Sequence, residues 1–494
     1  MGRIVARRQK ITGRNTLILG LFILGVALVA CGDNTPGATP APQSNPTSGK
    51  SQTTAATATT GSATTPAATT VAATTGAATN LSDTGESEAY PPILFVHGNG
   101  DSSALWITTI WRFESNGYPR DRLFALDYPY PSARDDDSIA QPGRSGTEEQ
   151  RNQLASEVDK ILAKTGAKKL VLVGNSRGGY SIRNYIKNGG GAAKVSHAIL
   201  GGTPNHGVYS APGGNNEFNG ASPFLKGLNE GSEVVEGVAF MTVRSDKNDK
   251  YAQPELAPGR PSGIDYNGPE LKGAKNVVLD GVDHRETAFS PRSFAEMYKF
   301  IMGKAPATLE ISPEAAPQLS GLITGYENKV PTNLGVAGVQ VSVYEVDPNT
   351  GARLGAAIHQ ITTGANGSWG KFTAKPTTYY EFELKAPNQP VMHFFRSPFP
   401  RSSAYVSMRL FENPAVAGKA VIYFTRPRGY ISNSRDKHSL DGKPVPGVKD
   451  GLPTESSFRV ELEGPERAVP VSLNGENMTV RAIPGEVVYA EFHY

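Results

Sequence analysis

The chain has 494 residues, enough for two or three domains with buried cores, so a small fold held by disulfides or a metal is excluded. Charged residues make up 19 %, while Gly and Pro number 54 and 37, a balance that favours loops and β-structure over a helical bundle. The formal charge of +3 is too small for this length to imply nucleic-acid binding, and the single cysteine, Cys31, closes no intrachain disulfide and builds no thiolate zinc site.

The first fourteen residues carry Arg3, Arg7, Arg8, Lys10 and Arg14 and no acid, and Leu17 to Ala30 then run apolar up to Cys31. This is the basic and apolar pattern of an export signal, too short for a membrane span, and residues 1–30 are read as a signal peptide. Leu28-Val29-Ala30-Cys31 resembles a bacterial lipobox, which implies cleavage before Cys31 and lipidation of its thiol. The expected location is the outer face of the cytoplasmic membrane, engaged through that lipid anchor, with extracellular release as the alternative. Arg7-Arg8 leaves the export route open between the general and twin-arginine systems. Loss of the signal removes five basic residues and leaves 44 against 46 acidic ones, so the basic excess belongs to the signal.

Residues 31–89 are dominated by Thr, Ala, Pro, Ser and Gly, with 12 Thr and 10 Ala between positions 51 and 80 and no charge between Lys50 and Asp83. Such a segment buries too little apolar area to offset its ordering entropy, which predicts a disordered tether.

Residues 90–305 alternate apolar runs of strand length with amphipathic helical stretches, the pattern of a parallel sheet with helices on both faces. Strands are predicted at Ile93–Val96, Arg122–Asp127, Lys168–Val173, Val195–Leu200, Val238–Val243 and Asn276–Leu279. Thr147–Leu162 is a predicted helix with Thr147 and Gln150 as its capping box and Gly166 past its end. A second helix carries Tyr180, Ile182, Tyr185 and Ile186, and a third spans Pro291–Met302 behind Ser290.

Between the third strand and the second helix stands Gly174-Asn175-Ser176-Arg177-Gly178. A G-x-S-x-G pattern is expected about 0.4 times by chance in such a composition. Its place on a strand-to-helix bend is what singles out Ser176 as a nucleophile lifted to the top of a sheet. A serine hydroxyl needs a base, and His197, His206 and His284 are the histidines between it and the end of this unit. His197 falls inside a strand, and His206 follows on the loop behind it, placed to line a site. His284, on the loop before the last helix, is the expected base. Asp246 and Asp249, on the loop after Val238–Val243, are the candidates for the acid that orients it.

Together with Phe95-Val96-His97-Gly98-Asn99-Gly100, these residues resemble an α/β-hydrolase of the bacterial and archaeal lipase/esterase group over residues 91 to 303. Gly201-Gly202-Thr203-Pro204-Asn205-His206-Gly207 and Pro223-Phe224-Leu225-Lys226-Gly227-Leu228-Asn229 are similar to the segment behind the sixth strand of such lipases. The resemblance implies hydrolysis of carboxylic esters through an acyl-enzyme, without a cofactor or metal. It favours Asp249 over Asp246, because an apolar residue two places on and a nearby Pro follow the acid in many lipases. It also implies an oxyanion hole from the backbone N–H groups of Asn99 and Arg177, with His97 in a structural role. Arg177 and Asn175 depart from the uncharged residue and the His common beside the nucleophile, and Gly201-Gly202 stands where some lipases hold the acid.

From residue 306 the period changes to two. Val339, Val341 and Val343 alternate with polar residues, Tyr380, Phe382 and Leu384 alternate with Glu381, Glu383 and Lys385, and turn residues recur to the end. Residues 306–494 are therefore predicted as an all-β module, one antiparallel sandwich or barrel or two. It resembles the C-terminal module of certain long-chain lipases, which borders their acyl site, and His393 to Phe399 is a candidate apolar patch for lipid or polymer. The expected partner is a lipid or other ester, with no nucleic acid, and oligomeric state is not legible. The readings that follow are a lipid-anchored lipase, a polyester depolymerase, or a surface-binding lipoprotein with a vestigial hydrolase domain.

Overall fold

The computed structural model describes residues 90–411 and 415–494; the expected signal segment, the Cys31 lipidation site and the tether lie outside them. Six strands, β1 (Ile93–Val96), β2 (Leu123–Leu126), β3 (Leu170–Asn175), β4 (Val195–Gly201), β5 (Ala239–Ser245) and β6 (Lys275–Leu279), pair in parallel in the order β6-β5-β4-β3-β1-β2. The apolar runs are continuous because both faces are covered. Ile93, Phe95, Val171 and Val173 point into one core and Leu94, Val96, Leu170 and Leu172 into the other. Chain order reverses between β1 and β3, the switch point at which a crevice opens beyond the strands' carboxyl ends.

One face is covered by α1 (Ile107–Ser115) and α6 (Pro291–Met302), the other by α2 (Thr147–Thr165) and α3 (Arg177–Asn188). Short helices α4 (Pro223–Asn229) and α5 (Glu286–Phe289) complete the set. Helix α6 has the predicted bounds, with Ser290 accepting from the Ser293 N–H and Gly303 closing it at φ 69°. Helix α2 starts where predicted, but its cap is shifted by one residue. Glu149 reaches back to the Gly146 N–H at 2.6 Å, and Asp137 accepts the Thr147 N–H and hydroxyl at 2.8 and 2.6 Å. A carboxylate from the preceding loop thus does the work expected of Thr147. The unpredicted α1 is rich in β-branched and aromatic residues and is buried from Ile107 to Glu114, so it shows no polar face. It lies between the sheet, which takes Ile110 and Phe113, and the C-terminal module, which takes Ile107 and Trp111.

The C-terminal module has three layers. Its central sheet joins β9 (Gln340–Val346), β10 (His359–Thr362), β12 (Tyr379–Lys385), β13 (Met392–Arg396), β15 (Lys419–Thr425), β17 (Ser457–Glu463) and β20 (Val487–Glu491) in the order β10-β9-β12-β13-β20-β15-β17. On one side lies a sheet of β7 (Gln318–Glu327), β8 (Val330–Gly335), β11 (Ser368–Thr373) and β14 (Met408–Arg409); on the other lies β16 (His438–Leu440) with β18 (Arg467–Leu473) and β19 (Glu476–Ala482). The module is mixed rather than antiparallel, because β20 runs parallel to both its neighbours. That strand is apolar on both sides, sending Val487 and Tyr489 to one core and Val488 and Ala490 to the other. Among the described residues no helix is long and apolar enough to cross a membrane.

One expectation for β13 changes. Residues Met392–Arg396 are buried throughout, as is Phe399, so the stretch is core and not an exposed lipid patch. On the polar side of β12, Glu381 is buried and accepts from Arg353 and His393, both at 2.6 Å, and the other ring nitrogen of His393 bonds Glu486 at 2.6 Å. Burial works against a charge on His393, but the two carboxylates outweigh it and raise its pKa to about 9. Because the folded value lies above the unfolded one, this stabilisation is complete below about pH 6.5 and is lost as pH rises through about 9, a change of about 3 kcal/mol. Urea midpoints should fall over that window, and His393→Gln should remove most of the fall.

Candidate active site

Ser176 sits at the carboxyl end of β3 with φ 54° and ψ −125°, a conformation L-residues rarely adopt. Such a turn stores about 1–3 kcal/mol and persists only where its surroundings enforce it. The close packing is visible at two glycines. A Cβ on Gly178 would lie 2.5 Å from the Val96 carbonyl oxygen, and one on Gly98 would lie 2.9 Å from the Ser176 Cβ. The elbow therefore presses against the end of β1, which brings the Gly98–Asn99 turn beside Ser176. Neither the Asn99 nor the Arg177 backbone N–H donates a hydrogen bond among the described residues.

His284 and Asp249 reach the same place from the loops behind β6 and β5. His284 Nδ1 lies 2.9 Å from Asp249 Oδ2, and both groups are buried. The other carboxylate oxygen, Oδ1, accepts the Tyr251 N–H at 2.8 Å, so both oxygens are engaged. Tyr251 also packs edge-on against the imidazole, 4.6 Å between ring centroids. Ser176, His284, Asn99 and Tyr251 line one cleft, with Arg134 and Arg144 at its wall. With Nδ1–H directed at a carboxylate, Nε2 is the nitrogen left to take a proton from a hydroxyl.

Asp246 is turned away. It accepts the Gly281 N–H at 3.1 Å, and although burial opposes its charge, the N–H groups of Lys247 and Gly281 hold its carboxyl below the ordinary range. His206 does not line the cleft: its ring bonds the Gly268 carbonyl and Glu233, at 2.9 and 3.1 Å. His197 lies on β4 against Phe300. The buried His97 donates from Nδ1 to the Gly98 carbonyl and accepts the Tyr128 N–H at Nε2, holding the turn before Asn99; burial lowers its pKa.

The two departures beside Ser176 acquire roles. The Asn175 amide donates to the Gly201 and His284 carbonyls at 3.0 and 3.1 Å, tying the elbow to the backbone of the histidine. The Arg177 side chain is buried, pairs with the buried Glu217 and donates to the Pro131 and Ser145 carbonyls at 3.0 and 2.6 Å. The Arg177 side chain thus ties together the loops of Pro131, Ser145 and Glu217. Spacing alone identified neither role, since every partner is distant in sequence. Among the described residues no group of three or more His, Cys, Asp or Glu side chains is placed to hold a metal ion.

Residues 91–215 match the family model described as alpha/beta hydrolase fold, and residues 317–413 match that described as lipase C-terminal domain. Among solved structures the chain is similar to Aspergillus fumigatus lipase B, at 16 % identity over 44 % of this chain and 54 % of that one, with a TM-score of 0.33. That match spans about half of the fungal protein. A Bacillus licheniformis lipase, BlEst2 in its propeptide form, is similar at 16 % identity over 80 % of this chain and 93 % of its own, with a TM-score of 0.34. The carboxylesterase CesB from Bacillus subtilis is similar at 13 % identity over 44 % and 85 %, with a TM-score of 0.25.

Proposed function

From a chain that carries an α/β-hydrolase domain and a lipase C-terminal domain, we propose an exported, lipid-anchored serine hydrolase of carboxylic esters, with acylglycerols as its substrate class. The observation that carries the reading is the buried Asp249–His284 pair, whose His284 lines one cleft with Ser176 on its positive-φ elbow. Ser176 Oγ attacks the ester carbonyl while His284 Nε2 takes its proton, and the Asn99 and Arg177 N–H groups stabilise the tetrahedral oxyanion. The proton passes to the leaving alkoxide, which departs as the alcohol and leaves the acyl group on Ser176. Water, deprotonated by His284, then releases the carboxylic acid and restores the serine. Asp249 holds the tautomer and stabilises the imidazolium throughout. Cys31 is the proposed attachment point, with the segment behind it as the tether.

A second cavity of about 440 Å³ lies between the loops of the first domain and the β-module, where Phe394, Phe411 and Tyr489 stand among charged residues such as Arg285, Arg428 and Glu491; its aromatic side is what supports a long acyl chain. It shares Asp101, Arg285 and Tyr430 with the cleft at Ser176. Hydrolysis of p-nitrophenyl esters and acylglycerols of increasing chain length tests the assignment. The expected result is a rise in kcat/KM of at least about tenfold from acetate to octanoate, since each methylene buried against Phe394, Phe411 and Tyr489 contributes to binding. A monotonic fall with length would reassign the protein to short, polar esters.

A further inference from the structure

The loops that carry the proposed machinery are held from the C-terminal module. At the oxyanion turn, Asn333 Nδ2 donates to the Asp101 carbonyl at 2.9 Å, and Arg409, which also bonds Asn333, donates to the Gly100 carbonyl at 3.4 Å. Behind Asp249, the Lys250 ammonium donates to the Thr454 carbonyl at 2.7 Å. The densest contact is at His284. Asp283, fully buried, accepts the Arg285 and Glu286 N–H groups through Oδ1 and the Tyr430 N–H, at 2.6 Å, through Oδ2.

Arg435 joins these groups. One arm of its guanidinium donates to the Gly281 carbonyl at 3.2 Å and to Glu286, and the other meets Asp283 Oδ2 at 3.1 Å and the Tyr430 carbonyl at 2.6 Å. Gly281, Asp283 and Glu286 bracket His284 on both sides. We propose that Arg435 is a positioning residue for His284, bridging three points of the histidine's loop from the β-module and making that module part of the catalytic unit. Without the bridge, the two neighbouring carboxylates keep their backbone N–H donors but lose one of two cations, leaving Arg426 at 2.7 Å from Glu286 and 3.8 Å from Asp283. The loop must then rearrange to separate them, and the imidazole moves with it.

The proposal rests on the serine-hydrolase reading. The experiment compares wild type, Arg435→Ala, Arg435→Lys and, as a control, Arg459→Gln, which breaks an exposed ion pair of the same module. A displacement of about 1 Å at a catalytic group costs about 100-fold. Arg435→Ala should therefore lose about that factor in kcat on a p-nitrophenyl ester, with KM within about twofold of wild type. Arg435→Lys, which keeps the charge but not the fork, should lose about tenfold. Millimolar guanidinium chloride should restore part of the Arg435→Ala turnover and leave wild type and the control unchanged. Folded Arg435→Ala and Arg435→Lys variants with wild-type kcat would overturn the positioning role alone. So would a loss that follows the melting temperature and gains nothing from guanidinium. A wild-type protein that hydrolyses no ester would overturn the hydrolase reading, and the positioning role with it.

Discussion

Ser176→Ala is expected to lower kcat for p-nitrophenyl ester hydrolysis by about a million-fold, because loss of the nucleophile disables the whole unit and leaves only binding and oxyanion stabilisation. The fold should not change. The Ser176 N–H donates to the Gly201 carbonyl and its own carbonyl accepts the Gly179 N–H, and alanine keeps both. Far-UV circular dichroism and the melting temperature should therefore match wild type while turnover disappears. Retained turnover at more than about a hundredth of wild type would remove Ser176 from the chemistry.

Asp249→Asn is expected to cost about 10⁴-fold in kcat with little change in KM. The reason lies in the partners of the carboxylate. Oδ1 accepts the Tyr251 N–H, so an asparagine would keep its carbonyl oxygen there and present its NH₂ to His284 Nδ1. Two donors would then face each other, and the imidazole would move its proton to Nε2. That nitrogen could no longer accept the proton of Ser176. Asp246→Asn, which loses part of a bond to the Gly281 N–H at the rim, should stay within about threefold of wild type. A crippled Asp246→Asn variant beside a normal Asp249→Asn one would reverse the assignment. Measuring both on one ester at saturating concentration decides it.

What could be read along the chain was whatever depends on near neighbours. Strand β1 and helix α6 have their predicted bounds because apolar content, a Ser-Pro start and a left-handed Gly303 are local signals. The G-x-S-x-G stretch was legible for the same reason, since the elbow needs its small residues within a few positions of Ser176. Helix α1 was missed because it is buried by two different cores and carries no polar stripe to mark its period. The pairing of the buried Glu381 and Glu383 left no mark in the alternation of β12, because their partner Arg353 comes from another strand connection. Arg435 gave no signal at all, standing 152 residues from Asp283. Such long-range pairs follow from how the module docks, which no periodicity records.

Hydrolysis through an acyl-enzyme requires Ser176 to form a covalent adduct, which peptide mass spectrometry after treatment with a fluorophosphonate probe measures most directly. The predicted result is a single phosphonylated peptide carrying the modification on Ser176, with labelling abolished in Ser176→Ala and strongly slowed in His284→Ala. An unlabelled wild-type protein, or a probe found on another serine, would contradict it.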